Sequence, residues 1–245
     1  MLPEPGTAHV FLASPGALLA AARSHPSWLS EGERARAART RAPEGRDGYL
    51  ATRVLVRGVL ARTLGRSPRE LTFVENAHGR PSLEPPAEGV DFNASRSPAW
   101  VALVLTRGTA CGIDVEDLQR RAGVDTVARA FAPEERALLD RAPASERRRV
   151  FFELWTLKEA FLKARGTGIA GGLDACAFAL VPGAPPRLSL PASAGEDARG
   201  WSFLHLRPDE RHLVAVAVRS PAAPRLIVHG EGETCRMVEV PAPFR

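Results

Sequence analysis

Two amphipathic helices, each stopped by glycine and each followed by the same succession of short apolar segments, constrain this chain more than any other feature. GYLATRVLVRGVLARTLG (48–65) spaces Leu50, Val54, Leu55, Val59, Leu60 and Leu64 at the helical period and ends at Gly65. ERRRVFFELWTLKEAFLKARG (146–166) carries Val150, Phe151, Leu154, Trp155, Leu157, Phe161 and Leu162 as a wide apolar face, with Gly166 and Gly168 as stops. FVENAHGRPSL (73–83) and AWVALVLTRG (99–108) follow the first helix; FALVPGAPPRLSL (178–190) and HLVAVAVRSP (212–221) follow the second, roughly 105 to 113 residues later. This repeat predicts an α+β chain made of two similar helix plus antiparallel-sheet halves, residues 1–111 and 112–245, with the active site between them. Short apolar strands resemble one another in many chains, so coincidence stays open as the competing account. Between the long helices, LTFVEN, VDFNAS, WVALVLT and ACGIDVE read as strands, the last two joined by a hairpin at Arg107-Gly108. Residues 122–142 read as helical, broken at Pro133.

Composition narrows the class. A chain of 245 residues with 44% hydrophobic content buries a substantial core. Arg, Ala, Gly and Pro dominate while Lys, Tyr and Met are scarce, the mark of GC-rich coding, and most arginines read as solvated surface charge. A net charge of +5 favours an acidic partner without choosing among nucleic acid, a phosphorylated ligand and an acidic protein. Cys111, Cys176 and Cys235 are widely spaced and contain no C-x-x-C pair, which points away from a disulfide framework or zinc site and toward a reduced cytoplasm. FLASPGALLAAA lacks the basic leader of a signal peptide, since Glu4 stands there and Pro15-Gly16 interrupts the apolar run. No stretch is long enough to span a membrane, so a soluble cytoplasmic monomer is expected.

The chemistry concentrates in two places. GIDVED (112–117) puts Asp114 and Glu116 two apart on a strand, hence on one face, and two carboxylates are enough to nucleate a Mg²⁺ site completed by water and substrate phosphate. Taken alone, a D-x-E triplet is more often a pair of solvated acids. In LWTLKEAFLKA (154–164) stand Lys158 and Lys163, and the other basic residues among the chain's 33 are all arginine. Trp155, Lys158, Glu159, Leu162 and Lys163 lie toward one side of that helix. Glu159 and Lys163 also have the spacing of an ordinary surface ion pair, contributing only ~0.3–0.5 kcal/mol, but Arg would serve such a pair equally well. A compact ammonium differs from a planar guanidinium in sitting as a point charge on one phosphate oxygen. Two lysines spared beside a carboxylate therefore point to a phosphate and metal site.

These residues resemble a known family. GIDVE (112–116) followed by WTLKEAFLKARGTGI (155–169) is similar to the paired signature of the 4'-phosphopantetheinyl transferases, G-[IV]-D-[IV]-E and W-x-x-K-E-[AS]-x-x-K. The length, the repeat and DFNASRSPAWVAL (91–103) resemble the two-halved Sfp-type class rather than the short carrier-protein synthases, over about residues 46 to 218. The resemblance implies transfer of 4'-phosphopantetheine from coenzyme A to a serine of an acidic apo carrier protein (an ACP or PCP domain), with release of adenosine 3',5'-bisphosphate. It implies that Asp114, Glu116 and Glu159 hold Mg²⁺ against the coenzyme A pyrophosphate, that Lys163 neutralises the leaving phosphate, and that Lys158 lies on the phosphate or pantetheine portion. Arg80 and Pro81 fall where the family has G-K-P, and Ser95 and Arg96 where it has S-H, so these four are expected at the nucleotide, with Arg80 and Arg96 as departures. Glu135 matches a carboxylate proposed to activate the carrier serine, and Glu159 is the alternative through a metal-bound water, so the base stays open. The basic runs ERRRV (146–150) and ERARAARTR (33–41) are candidate docking surfaces, with solvated helix faces as the plainer account.

Two rival classes remain for comparison. An Arg-rich nucleic-acid binder needs a basic face interleaved with aromatics, and aromatics make up 6% of this chain and sit mostly on apolar helix faces; neither nucleic acid nor membrane is expected as a partner. A degenerate coenzyme A binding module would have lost metal carboxylates, and all three are present.

Overall fold

The computed structural model describes residues 2–87, 89–121, 123–168, 171–181 and 183–230. In chain order the elements are β1 (Thr7–Ala13), α1 (Pro15–Ser24), α2 (Glu31–Arg39), α3 (Pro43–Leu64), β2 (Thr72–Glu75), β3 (Pro81–Glu84), β4 (Val90–Arg96), β5 (Val101–Arg107), β6 (Cys111–Asp117), α4 (Val124–Ala128), α5 (Pro133–Arg141), α6 (Ala144–Arg165), β7 (Ala177–Ala179), β8 (Arg187–Ser189), β9 (Ser202–Leu206), β10 (His212–Val218) and β11 (Arg225–Gly230). They form two compact units: one runs to Thr109 and takes in β11, the other spans Ala110–Pro224. No helix among the described residues is long and apolar enough to cross a membrane.

In the first unit β1 pairs antiparallel with β5, β5 with β4, and β11 adds in parallel beside β1. The 22-residue α3 turns Leu55, Val56 and Leu60 toward Leu103, Leu105 and Phe92 of the sheet, and each fully buried side chain of this size contributes about 1.5–3 kcal/mol. A β2–β3 hairpin follows the helix. In the second unit β10 lies between β6 and β9, antiparallel to both, and α6, also 22 residues long, buries Phe151, Phe152, Leu154, Leu157, Phe161 and Leu162 against this sheet and its surroundings. A β7–β8 hairpin follows α6 as β2–β3 follows α3. Both long helices end on a left-handed glycine, Gly65 at φ 65° and Gly166 at φ 70°, a backbone state that glycine enters without the Cβ penalty.

Each unit therefore reads strand, helices ending in a 22-residue helix, hairpin, two strands. WVALVLT and LVAVAV occupy the same place, β5 between β1 and β4 and β10 between β6 and β9. Two readings from sequence are corrected. The hairpin at Arg107-Gly108 does not exist: β5 pairs with β1 and β4, β6 pairs with β10, and the Gly108 N–H extends the β4–β5 ladder by donating to Gly89 O at 2.8 Å. Gly-containing turn residues end β5 here, but turn chemistry does not say which strand becomes the partner. Arg225–Gly230, counted with the second half, pairs with β1 of the first unit, because register between distant strands leaves no local signature. β1 itself was not anticipated. Cys235 lies outside the described residues.

Candidate active site

The site begins with a glycine. β6 alternates its side chains, so Gly112, Asp114 and Glu116 point to the side on which α6 crosses. A Cβ on Gly112 would stand 2.0 Å from Ala160 O and 2.6 Å from Ala164 N. Helix and strand backbones therefore meet at this point, which only glycine permits. The close crossing draws the last turns of α6 onto the two carboxylates: Lys163 Nζ donates to Asp114 Oδ1 at 2.6 Å and to Ile113 O at 3.3 Å, and Trp155 Nε1 donates to Glu116 Oε1 at 2.8 Å. Lys163 thus reaches across to the strand, which is not the geometry of a surface pair confined to the helix.

Arg120, just past the end of β6, completes the cluster by pairing with Glu116 at 2.5 Å, its guanidinium lying over the rings of Phe152 and Trp155. Sequence reasoning missed it, since nothing in the local pattern distinguishes it from the other arginines. Glu159 sits partly buried with Oε1 lacking any hydrogen-bond partner. Burial pushes its pKa up to about 7, Lys163 pulling down and the charges of Asp114 and Glu116 pushing further up. Glu116 is also raised, by burial and then by Asp114. The three carboxylates therefore feel one another, the electrostatic state a cation would relieve. No group of three His, Cys, Asp or Glu among the described residues is gathered tightly enough to hold an ion by itself. The donor set fits Mg²⁺, which binds through one or two carboxylates and keeps water and phosphate as its other ligands.

Lys158 and Glu135 are not part of this cluster. Both are 0% exposed and pair with each other at 2.6 Å. Lys158 Nζ also donates to Leu173 O at 2.7 Å and to Cys176 O at 2.5 Å, so its three protons have three acceptors. Glu135 accepts from the N–H groups of Ala132 and Phe178 at 3.0 and 2.8 Å; burial raises its pKa against the pull of Lys158 and those donors. With no exposed atom, neither residue meets substrate in this structure.

The remaining expected residues belong to the first unit. Arg80 follows a tight turn in which Asn76 Oδ1 accepts from the N–H groups of His78 and Arg80, and its guanidinium pairs with Asp91 at 2.7 Å. Pro81 opens β3, and Ser95 and Arg96 end β4. Arg96 is exposed, its chain running across Gly48 of α3, where a Cβ would come within 3.0 Å of Cδ and Nε. The basic runs are largely tied down: Arg147 holds Asp125 and Asp140, Arg148 the carbonyls of Leu118 and Arg120, Arg149 Glu146 and Glu153, and Arg36 Glu75.

The family model "4'-phosphopantetheinyl transferase superfamily" matches residues 110–217, which contain the whole acid and lysine cluster. The 4'-phosphopantetheinyl transferase HetI of Nostoc sp. is 36% identical over 193 residues, 78% of each chain. A phosphopantetheinyl transferase of Thraustochytrium sp. is 30% identical over 80% of this chain and 72% of its own. The holo-[acyl-carrier-protein] synthase of Thermotoga maritima aligns at 26% identity and a TM-score of 0.37, covering 45% of this chain and 62% of that one. The likeness extends past the matched segment into the first unit, as 78% coverage requires, and the chain belongs to the 4'-phosphopantetheinyl transferase superfamily.

Proposed function

We propose that the cluster on β6 and α6 carries the Mg²⁺-dependent transfer of 4'-phosphopantetheine from coenzyme A to a serine of an acidic apo carrier protein, releasing adenosine 3',5'-bisphosphate. The observation that supports it most is the Gly112 crossing, which sets three electrostatically coupled carboxylates beside Lys163. Asp114, Glu116 and Glu159 would hold the metal, with Glu159 Oε1 open to it; bound Mg²⁺ supplies charge neutralisation at the pyrophosphate. Phosphoryl transfer needs little covalent help, so fixed charge and orientation suffice. Lys163, held toward the site by Asp114 and Ile113 O, places its ammonium for the leaving phosphate. Arg120 bridges Glu116 and the aromatic face of α6. Arg80, Pro81, Ser95 and Arg96 are assigned to the nucleotide, where the two guanidinium groups suit phosphate oxygens. The nucleophile belongs to the partner, which is why no Ser, Cys or Lys nucleophile is required of this chain.

The test is mass spectrometry of several apo carrier proteins incubated with the enzyme, coenzyme A and Mg²⁺. One carrier serine should gain the phosphopantetheine mass, the gain should vanish in excess EDTA, and Asp114→Ala should slow it at least about a hundredfold, equivalent to about 2.7 kcal/mol. Full turnover in EDTA would remove the metal from the scheme; no mass gain on any carrier would remove the reaction.

A further inference from the structure

The Glu135–Lys158 pair occurs twice. In the first unit Glu33, third residue of α2, pairs with Arg57, the fifteenth residue of α3; in the second Glu135, third residue of α5, pairs with Lys158, the fifteenth residue of α6. Arg57 donates onward to Pro68 O and Leu71 O, and Lys158 to Leu173 O and Cys176 O, in each unit two carbonyls three residues apart that lead into the hairpin. All four partners recur 101 to 105 positions later. Glu33 and Glu135 both turn back on the start of their helix as well, accepting from Ser30 N and Ala132 N. The first unit lacks the counterpart of Glu159, since Gly58 follows Arg57 where Glu159 follows Lys158. A feature present with and without the chemistry does not belong to the chemistry itself.

We propose that Glu135 and Lys158 are positioning residues: a buried bolt, shared with Glu33–Arg57, that clamps α6 to the start of α5 and to the 173–176 loop in the register at which Glu159 and Lys163 meet β6. Lysine serves in the second unit because one nitrogen reaches two carbonyls and a carboxylate in a site with no exposed surface, whereas the first unit spreads the same contacts over the Nε and Nη1 of Arg57. Removing one partner strands a buried charge, while removing both together leaves none. That asymmetry separates a bolt from a catalytic pair.

The inference rests on the phosphopantetheinyl transfer reading, so wild-type mass transfer is measured first. Its absence would remove that reading alone, and the melting cycle would still decide the bolt. Lys158→Met, Glu135→Gln and the double variant are compared at a temperature where circular dichroism shows the singles folded. Each single should lose about 5 °C or more in Tm and about tenfold in kcat with the carrier KM unchanged; the double should regain most of both. Singles with wild-type kcat would mean a structural role only and overturn the proposal. So would a double variant that recovers neither stability nor turnover, which would return these residues to the chemistry.

Discussion

The two units share a topology and a bolt but differ at the crossing of helix and strand. On the helix side of the first strand, β1 presents His9, Phe11 and Ala13, where β6 presents Gly112, Asp114 and Glu116. With side chains at all three positions, α3 settles over β4 and β5; with none at Gly112, α6 comes down onto β6 and packs over β6 and β10. The same difference appears on the helices, where α3 has Gly58 and Arg62 and α6 has Glu159 and Lys163. One order of elements, common to both units, therefore supports a polar cluster in one unit and an ordinary apolar contact in the other. A strand had to give up one side chain before the acids two and four residues on could meet a helix.

The largest break in this comparison comes from Gly112→Ala. The new methyl meets backbone atoms that cannot step aside, so the helix must lift, and stability should fall by about 3 kcal/mol or more. His9→Ala, at the matching place in the first unit, should change it by less than about 1 kcal/mol. Equal melting shifts for the two would end the claim that the crossings differ.

Next comes a pH effect carried by a histidine of the second unit that has no counterpart at the matching place in the first. His205 on β9 is partly buried, its Nε2 enclosed and unpartnered, and burial lowers its pKa from 6.5 to about 4; the matching residue on β4 is Ala94. The unfolded chain takes up this proton first, so the contribution of His205 to stability falls by about 3 kcal/mol as pH drops from 6.5 toward 4, while Glu159, its pKa raised to about 7, contributes with the opposite sign between pH 7 and its unfolded value. His205→Ala, copying the first unit, should flatten that part of the stability curve whatever it does at neutral pH. An unchanged slope in denaturant titrations between these pH values would refute it.

Lys163→Arg keeps the charge but widens it, and a displacement of about an ångström at a phosphate slows transfer on the order of a hundredfold. Arg62→Lys, on the exposed face of α3, should leave turnover as it is. Steady-state rates with melting temperatures check both, and equal rates for Lys163→Arg and wild type would reduce Lys163 to a partner for Asp114.

The smallest effect sharpens the likeness instead. Ser30 closes a full capping box with Glu33, while Ala132 gives only its N–H to Glu135. Ala132→Ser should restore the missing half and raise stability by about 0.5–1 kcal/mol, read from chemical denaturation; a loss would mean that α5 has no room for the hydroxyl.

Amino-acid order by itself determined the long helices and their glycine stops, most of the strands, and the facing of Asp114 and Glu116, because periodicity and turn chemistry act within a few residues. It also singled out the two lysines, but it assigned them a common role. Only tertiary structure parted them: Lys163 faces the acids on β6, and Lys158, five positions earlier, points into the core toward Glu135 and the carbonyls of Leu173 and Cys176. Tertiary structure likewise decided that β5 and β6 are not partners, that β11 returns to β1, and that Arg120 joins Glu116. The reason is common to all of these. Which face of a helix meets which strand depends on how closely two backbones approach, and that distance is set by pairs of residues far apart in the chain, such as Gly112 and Ala160.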